Sequence, residues 1–140
     1  MPPAEGSPSP VRPPLLIALA VLLFLEALGA IALVVWLVVE LVAAGPESYA
    51  SGVALLVLAV LAAAWIAFTA VSTLRLKSWV RASAVTWQVL QIAVAIGSFQ
   101  GLYAPPDLGW ALLVPALAGI GLALSPSVVR ATTRNKSEHD

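Results

Sequence analysis

The chain has 140 residues, of which 61% are hydrophobic and only 10% are charged, and its formal net charge is zero. Soluble domains carry about 25% charged residues, so a chain this apolar needs lipid as the solvent for much of its surface. The composition therefore predicts one membrane-embedded domain with membrane lipid as a partner, and it excludes a separate soluble catalytic domain at this length.

Several classes of site are excluded by residue types that the chain lacks. Cysteine is absent, which removes disulfides, thiolate metal sites and cysteine nucleophiles. The only histidine, His139, belongs to a polar tail, so imidazole cannot hold haem or zinc inside a helix bundle. The seven basic residues are too few and too dispersed for nucleic-acid binding. We expect no cofactor, no metal, no nucleic-acid partner and no enzymatic activity.

The chain begins with a proline-rich segment that leads into a long apolar run. Residues 1–14 predict a disordered tail, and helix 1 is predicted over residues 15–44, ended by Gly45 and Pro46. Its roughly 30 residues would extend ~45 Å, beyond the ~30 Å hydrocarbon core, so the helix must tilt or project. A cleaved signal peptide is the alternative, but its apolar region would be about 7–15 residues long, and Glu26 interrupts this run.

Three further apolar runs follow, and each is long enough to cross a bilayer. They predict helices over residues 53–74, 80–100 and 108–124. Residues 127–140 predict a polar tail, in which one helical turn at the membrane surface is an option. The resulting transmembrane domain covers residues 15–126, and its fold class is all-α, an integral membrane four-helix bundle.

All seven basic residues fall on one side of this topology. They lie before helix 1, around the loop between helices 2 and 3, and after helix 4, whereas the first and third loops contain none. The positive-inside rule makes that side cytoplasmic. We therefore expect a multi-pass protein of the bacterial plasma (inner) membrane with both termini in the cytoplasm. The residues concerned are Arg12, Arg75, Lys77, Arg81, Arg130, Arg134 and Lys136.

Glu26 is the acidic residue predicted to lie deepest in the bilayer. A carboxylate there is costly unless it is paired, so it should face the bundle. Counted from the cytoplasmic edge, Glu26 is level with Gln91 of helix 3, and Gln88 lies one turn nearer the cytoplasm on the same face. We predict a hydrogen bond from Glu26 to one of these glutamines. Three roles stay open: a lock between helices 1 and 3, a proton- or cation-coupling carboxylate, or a pairing with a partner protein's helix.

The other polar and aromatic residues of the spans have plainer interpretations. Hydroxyl groups such as those of Thr69 and Ser83 are expected to hydrogen-bond the backbone of their own helices. Trp65 and Trp87 are expected to pack against helices or lipid, with an aromatic wall for a ligand as the alternative. Small residues every four positions are typical of closely packed membrane helices. On helix 4 they are Ala111, Pro115, Gly119 and Ala123.

Two segments carry a resemblance to a known group of proteins. The first is KSWVRA at residues 77–82, followed by TWQVLQ at 86–91, and the second is LALSPS at 122–127. With four apolar spans and a glutamate inside a long first helix, the chain resembles small uncharacterised four-helix integral membrane proteins of high-GC actinobacteria. The resemblance covers most of residues 15–130, and it implies no activity.

Two functions from different classes fit these features. The first is a non-enzymatic accessory or interaction subunit, whose partner is another membrane protein or a second copy of this chain. The alternative is a small transporter-like protein that uses Glu26 as a proton- or cation-coupling carboxylate. Small multidrug exporters also have four helices and a glutamate in helix 1. However, helix 1 is too long here, and the charge bias is too strong for a dual-topology antiparallel dimer.

Overall fold

The computed structural model describes residues 13–43, 49–101 and 106–139, with side chains up to residue 133. These residues form α-helices and no strand, which confirms the predicted all-α fold. The disordered tail predicted for residues 1–14 lies, apart from its last two residues, outside the described residues. The helices are α1 (Pro14–Ala43), α2 (Tyr49–Leu74), α3 (Val80–Phe99), α4 (Pro106–Ala123) and α5 (Pro126–His139).

Three of these helices begin at a proline, namely α1, α4 and α5. Proline suits the first turn because the N–H groups there have no partner within the helix. Helix α5 has 14 residues and is longer than the single turn expected for the polar tail 127–140. The first half of α5 packs on the bundle, since Val128 and Thr132 lie four residues apart on one face and are both buried.

Helices α1 to α4 are long and apolar enough to cross a bilayer. With 30 residues, α1 extends ~45 Å, which exceeds the ~30 Å hydrocarbon core. With 18 residues, α4 extends ~27 Å and is the shortest of the four. The protein is therefore a multi-pass integral membrane four-helix bundle, to which the polar helix α5 is appended.

The four spans associate as two hairpins, α1–α2 and α3–α4, which meet mainly at one end of the bundle. The first half of α1 and the second half of α2 supply most of the buried side chains there. Helix α5 covers the same end through Val128. We call it the packed end. Its core consists of Leu16, Leu19, Leu23, Ala27, Ile66, Ala70, Leu76, Ala84, Ala123 and Val128.

The turn between α2 and α3 inserts an apolar side chain into this core. Leu76 has a positive φ of 56°, a conformation that glycine usually adopts. Its N–H donates to the carbonyl of Thr73 at 3.1 Å, and the N–H of Lys77 donates to Ser72 at 3.3 Å. These two bonds close α2 with a Schellman motif. Burial of the leucine side chain offsets a backbone strain of roughly 1–2 kcal/mol.

The other half of the α1–α2 hairpin has no buried residue. This half comprises residues 28–43 of α1 and 49–62 of α2, and we call it the open half. The two helices pack closely on each other there, because a Cβ on Gly52 would lie 2.8 Å from Cδ1 of Leu41. The second hairpin leaves the remaining faces of both segments uncovered.

The basic residues lie at one end of the bundle, and two acidic residues lie toward the other. Glu40 near the end of α1 and Asp107 in the first turn of α4 lie away from the packed end. A carboxylate in the first turn of α4 is also favourable to the helix dipole. The basic residues of the described chain all lie at the packed end, around the α2–α3 turn or on α5. They are Arg75, Lys77, Arg81, Arg130, Arg134 and Lys136.

Candidate functional site

Gln88 lies at the centre of the polar contacts between the two hairpins. Its side chain is fully buried, with 0% exposure. The room for it comes from Gly119 of α4, because a Cβ on this glycine would overlap the amide group of Gln88. Small residues allow such close approach of membrane helices. The missing side chain of Gly119 therefore creates the space that the amide fills.

Gln88 donates a hydrogen bond to Glu26. The distance from Nε2 of Gln88 to Oε2 of Glu26 is 3.0 Å, and Glu26 is half-buried on α1. The bond joins one hairpin to the other. Of the two glutamines left open by the sequence, Gln88 forms this hydrogen bond, and Gln91 also faces the carboxyl group. The three residues that separate them correspond to ~4.5 Å along the axis, a shift that modest tilting of a long helix produces.

Trp87 and Gln91 face the same carboxyl group. Gln91 follows Gln88 by three residues and Trp87 by four, and these spacings place the side chains on one side of α3. The N–H of Trp87 approaches the carboxyl group without completing a hydrogen bond. We call Glu26, Trp87, Gln88 and Gln91 the polar cluster. Four of its buried atoms have no hydrogen-bond partner: Oε1 of Glu26, Nε1 of Trp87, Oε1 of Gln88 and Oε1 of Gln91.

A second polar link joins the hairpins nearer the packed end. Nε1 of Trp65 donates to Oγ of Ser83 at 2.8 Å, and the hydroxyls of Ser83 and Thr69 lie 2.8 Å apart. The hydroxyl of Thr69 also donates to the carbonyl of Trp65 at 2.9 Å. Because the proton of Thr69 is used in this way, Ser83 is the donor between the two hydroxyls. Every donor of this three-residue ring is satisfied.

The two polar links are connected by their tryptophans. The rings of Trp65 and Trp87 are perpendicular, at an interplanar angle of 89°, with centroids 5.7 Å apart. Edge-to-face contact at this distance is a favourable aromatic geometry. Of the two interpretations of these tryptophans, packing between helices describes the arrangement observed.

Two residues of the site gave little signal in the sequence. Ser83 was expected to bond its own helix backbone, whereas it bridges α2 and α3. Gly119 belonged to a row of small residues, but its contact with Gln88 depends on how α4 lies against α3. Spacing along a single helix does not encode that pairing. In the same row Ala111 is exposed while Ala123 is buried, so the row does not form one packed face.

The chemistry available to the polar cluster is limited by its one ionisable group, the carboxyl of Glu26. A carboxyl surrounded by amides and an indole has no second acid or base to share proton transfer with, and no nucleophile beside it. Among the residues that the structure describes, no group of three His, Cys, Asp or Glu side chains could hold a metal ion. The cluster can join two hairpins, and it can exchange a proton.

We predict that Gly119→Ala destabilises the bundle by about 1–3 kcal/mol, the usual cost of overpacking a tight contact. The added methyl group displaces the amide of Gln88 and breaks its hydrogen bond to Glu26. The measurement is the unfolding midpoint in mixed micelles of a mild and a denaturing detergent.

Gly121→Ala is the matched control, because a Cβ at Gly121 meets nothing within 4 Å. Replacing a helical glycine by alanine in open space is neutral or stabilising by up to about 1 kcal/mol. Equal effects of the two substitutions would contradict the close contact between Gly119 and Gln88.

Comparison with known proteins adds no relative to this description. No protein-family model, no curated protein and no solved structure matches the chain.

Proposed function

We propose that this chain is a non-enzymatic accessory or interaction subunit of the bacterial plasma membrane. It acts through lateral contacts between its helices and those of another membrane protein or of a second copy. The observation that carries the proposal is the open half of the α1–α2 hairpin, which the rest of the chain leaves uncovered. The non-enzymatic assignment is supported by the absence of cysteine and by a single histidine outside the spans.

The open half differs from an ordinary lipid-facing surface in its extent. Every span of a bundle exposes one face to lipid, but no residue of 28–43 or 49–62 is fully buried, because these two segments contact mainly each other. Leu28 and Leu58 are each 63% exposed, and Gly29 meets nothing within 4 Å of a Cβ position. Association of helices in lipid depends on van der Waals packing and close approach, and an uncovered two-helix hairpin offers both.

Site-specific photo-crosslinking in living cells tests this function. A photoreactive amino acid at Leu28 or Leu58 is expected to yield a discrete protein adduct, because a partner helix covers these positions in the membrane. Adducts are identified by gel shift and mass spectrometry. A position in the packed end, Leu19 with 0% exposure, is expected to crosslink only within the chain.

Val114 of α4 is the matched control, since it is 61% exposed but lies on the second hairpin. It is expected to give lipid adducts and no discrete protein adduct. If Leu28, Leu58 and Val114 all gave lipid adducts alone, the open half would be a plain lipid surface. The proposal would then be wrong.

The proposed orientation places both termini, α5 and the α2–α3 turn in the cytoplasm. It is supported by the basic residues, which lie at the packed end and around the α2–α3 turn. The positive-inside rule depends on this kind of asymmetry in short loops.

Because the chain has no cysteine, single cysteines can report the orientation without a modified background. In intact cells an impermeant maleimide is expected to label Gln100→Cys at the end of α3. Ser78→Cys in the α2–α3 turn is expected to react only after the membrane is opened. Both positions are exposed. The reverse pattern would place the packed end outside.

The hydrogen bond between Glu26 and Gln88 favours a second candidate function, a small transporter-like protein coupled through Glu26. The substitution Glu26→Gln separates the two functions, because it keeps the shape of the side chain and removes its ionisable group. The lateral role predicts an unchanged crosslinking pattern and no proton flux in proteoliposomes of either form. The transporter role predicts flux in the wild type and its loss in the variant, read with a pH-sensitive dye.

A further inference from the structure

The polar cluster holds more acceptor oxygens than the chain supplies donors for. Six buried side-chain atoms of the described residues have no hydrogen-bond partner, and four of them belong to this cluster. Three of the four are oxygens, one each from Glu26, Gln88 and Gln91. The fourth is a donor, Nε1 of Trp87, so one unpaired donor faces three unpaired acceptors. Buried polar groups are normally paired, so even with this indole N–H in use the cluster needs a further donor.

One proton on Glu26 supplies that donor. An ionised carboxylate only accepts hydrogen bonds, whereas a carboxylic acid also donates one. A proton on Oε1 of Glu26 can be shared with the amide oxygen of a neighbouring glutamine, which pairs two of the three oxygens at once. The existing bond from Nε2 of Gln88 to Oε2 of Glu26 is kept. If the accepting glutamine is Gln88, its amide and the carboxylic acid of Glu26 form two complementary hydrogen bonds, one in each direction.

A metal cation fits this donor set less well than a proton does. Oxygen-binding cations such as Mg²⁺ and Ca²⁺ take about six to eight oxygen ligands. The cluster offers three unpaired side-chain oxygens. Helices α1 and α3 run without a break through these residues, so their backbone carbonyls are used within the helices. A proton needs only one oxygen and one acceptor.

No other ionisable side chain of the described residues faces Glu26. On α1 the next is Glu40, fourteen residues away or ~21 Å along the axis, and on α3 the nearest is Arg81, ~10 Å from Gln88. Helix α2 carries no charged residue, and the only one on α4 is Asp107, in its first turn. The proton on Glu26 is therefore governed by the amides, the indole and the surrounding lipid or protein carbon.

The hydrogen-bonded pair of Thr69 and Ser83 lies on the packed-end side of the cluster. Ser83 precedes Gln88 by five residues on α3, or ~7.5 Å along the axis.

We propose that Glu26, Gln88 and Gln91 form a binding site for one exchangeable proton inside the membrane. The site goes beyond the lateral function, and it requires no transport. For the second candidate function it names both the ion and the two amides that hold it.

The test is the reaction of Glu26 with dicyclohexylcarbodiimide, a membrane-soluble reagent that attacks protonated carboxyl groups. The carboxyl proton moves to one nitrogen of the reagent, and the carboxyl oxygen bonds to its central carbon. The adduct therefore gains the full mass of the reagent, and peptide mass spectrometry locates it. We expect Glu26 to be labelled at a rate that falls about tenfold per pH unit once the carboxyl is mostly ionised.

Glu40, exposed near the end of α1, is the internal control and is expected to label much more slowly at neutral pH. Gln88→Leu is expected to shift the pH at which labelling of Glu26 is half-maximal, whereas Gln100→Leu, at the exposed end of α3, leaves it unchanged. Glu26→Gln removes the adduct. If the Gln88 variant fails to fold, the pH dependence of Glu26 labelling in the wild type still tests the proposal.

Three outcomes overturn the proposal. Labelling of Glu26 that stays constant over the whole accessible pH range means that the proton does not exchange. Labelling no faster than that of Glu40 means that the carboxyl is an ordinary solvated one. Protection by sodium, but not by choline, at constant pH and ionic strength assigns the site to a metal cation. The reaction needs neither a partner nor flux, so its result is independent of the crosslinking and transport experiments.

Discussion

The structure depends on the need to pair one carboxyl group that lies inside a hydrocarbon layer. Translocon-based scales assign an ionised carboxylate at the bilayer centre a cost of about 2.5–3.5 kcal/mol, which only nearby polar groups can reduce. Glu26 meets this constraint through Gln88, and Gln88 fits between the hairpins because Gly119 has no side chain. The hydrogen bond from Gln88 to Glu26 and the close contact of Gln88 with Gly119 thus fix the positions of α1, α3 and α4 relative to one another. The ring of Trp65, Ser83 and Thr69 adds α2 to the same arrangement.

The bundle is asymmetric along the membrane normal. At the packed end the leucines of α1, the turn residue Leu76 and Val128 of α5 exclude lipid from the space between the hairpins. In the open half the α1–α2 hairpin buries no residue. Lipid tails are as apolar as leucine, so exposure of the open half to lipid costs little free energy. For the same reason, replacing that lipid by another helix also changes the free energy little. The packed end therefore holds the two hairpins together, whereas in the open half lipid and other helices can replace each other.

Much of this fold could be predicted because bilayer thickness and backbone hydrogen bonding leave few alternatives. Four apolar runs and their proline breakers gave the four spans, and the cost of an intramembrane carboxyl directed attention to Glu26. The choice of Gln88 over Gln91 could not be predicted, since residue counting assumes that two helices begin at the same depth. The role of Ser83 depends on which faces of α2 and α3 meet, and the length of α5 depends on a core surface that exists only after the spans assemble. Local sequence contains neither kind of information.

The position of α5 in the chain has a consequence for how the protein is made. Leu16 near the start of α1 and Val128 on α5 belong to the same core, yet more than a hundred residues separate them. All four spans leave the ribosome before α5 does, so α1 and α2 can enter the membrane while the packed end still lacks its cover. Completion of the core is therefore a post-insertion step, and it depends on long-range docking rather than on local helix formation. A protein fused directly after Ser125 would leave membrane insertion intact and interfere with this final closure.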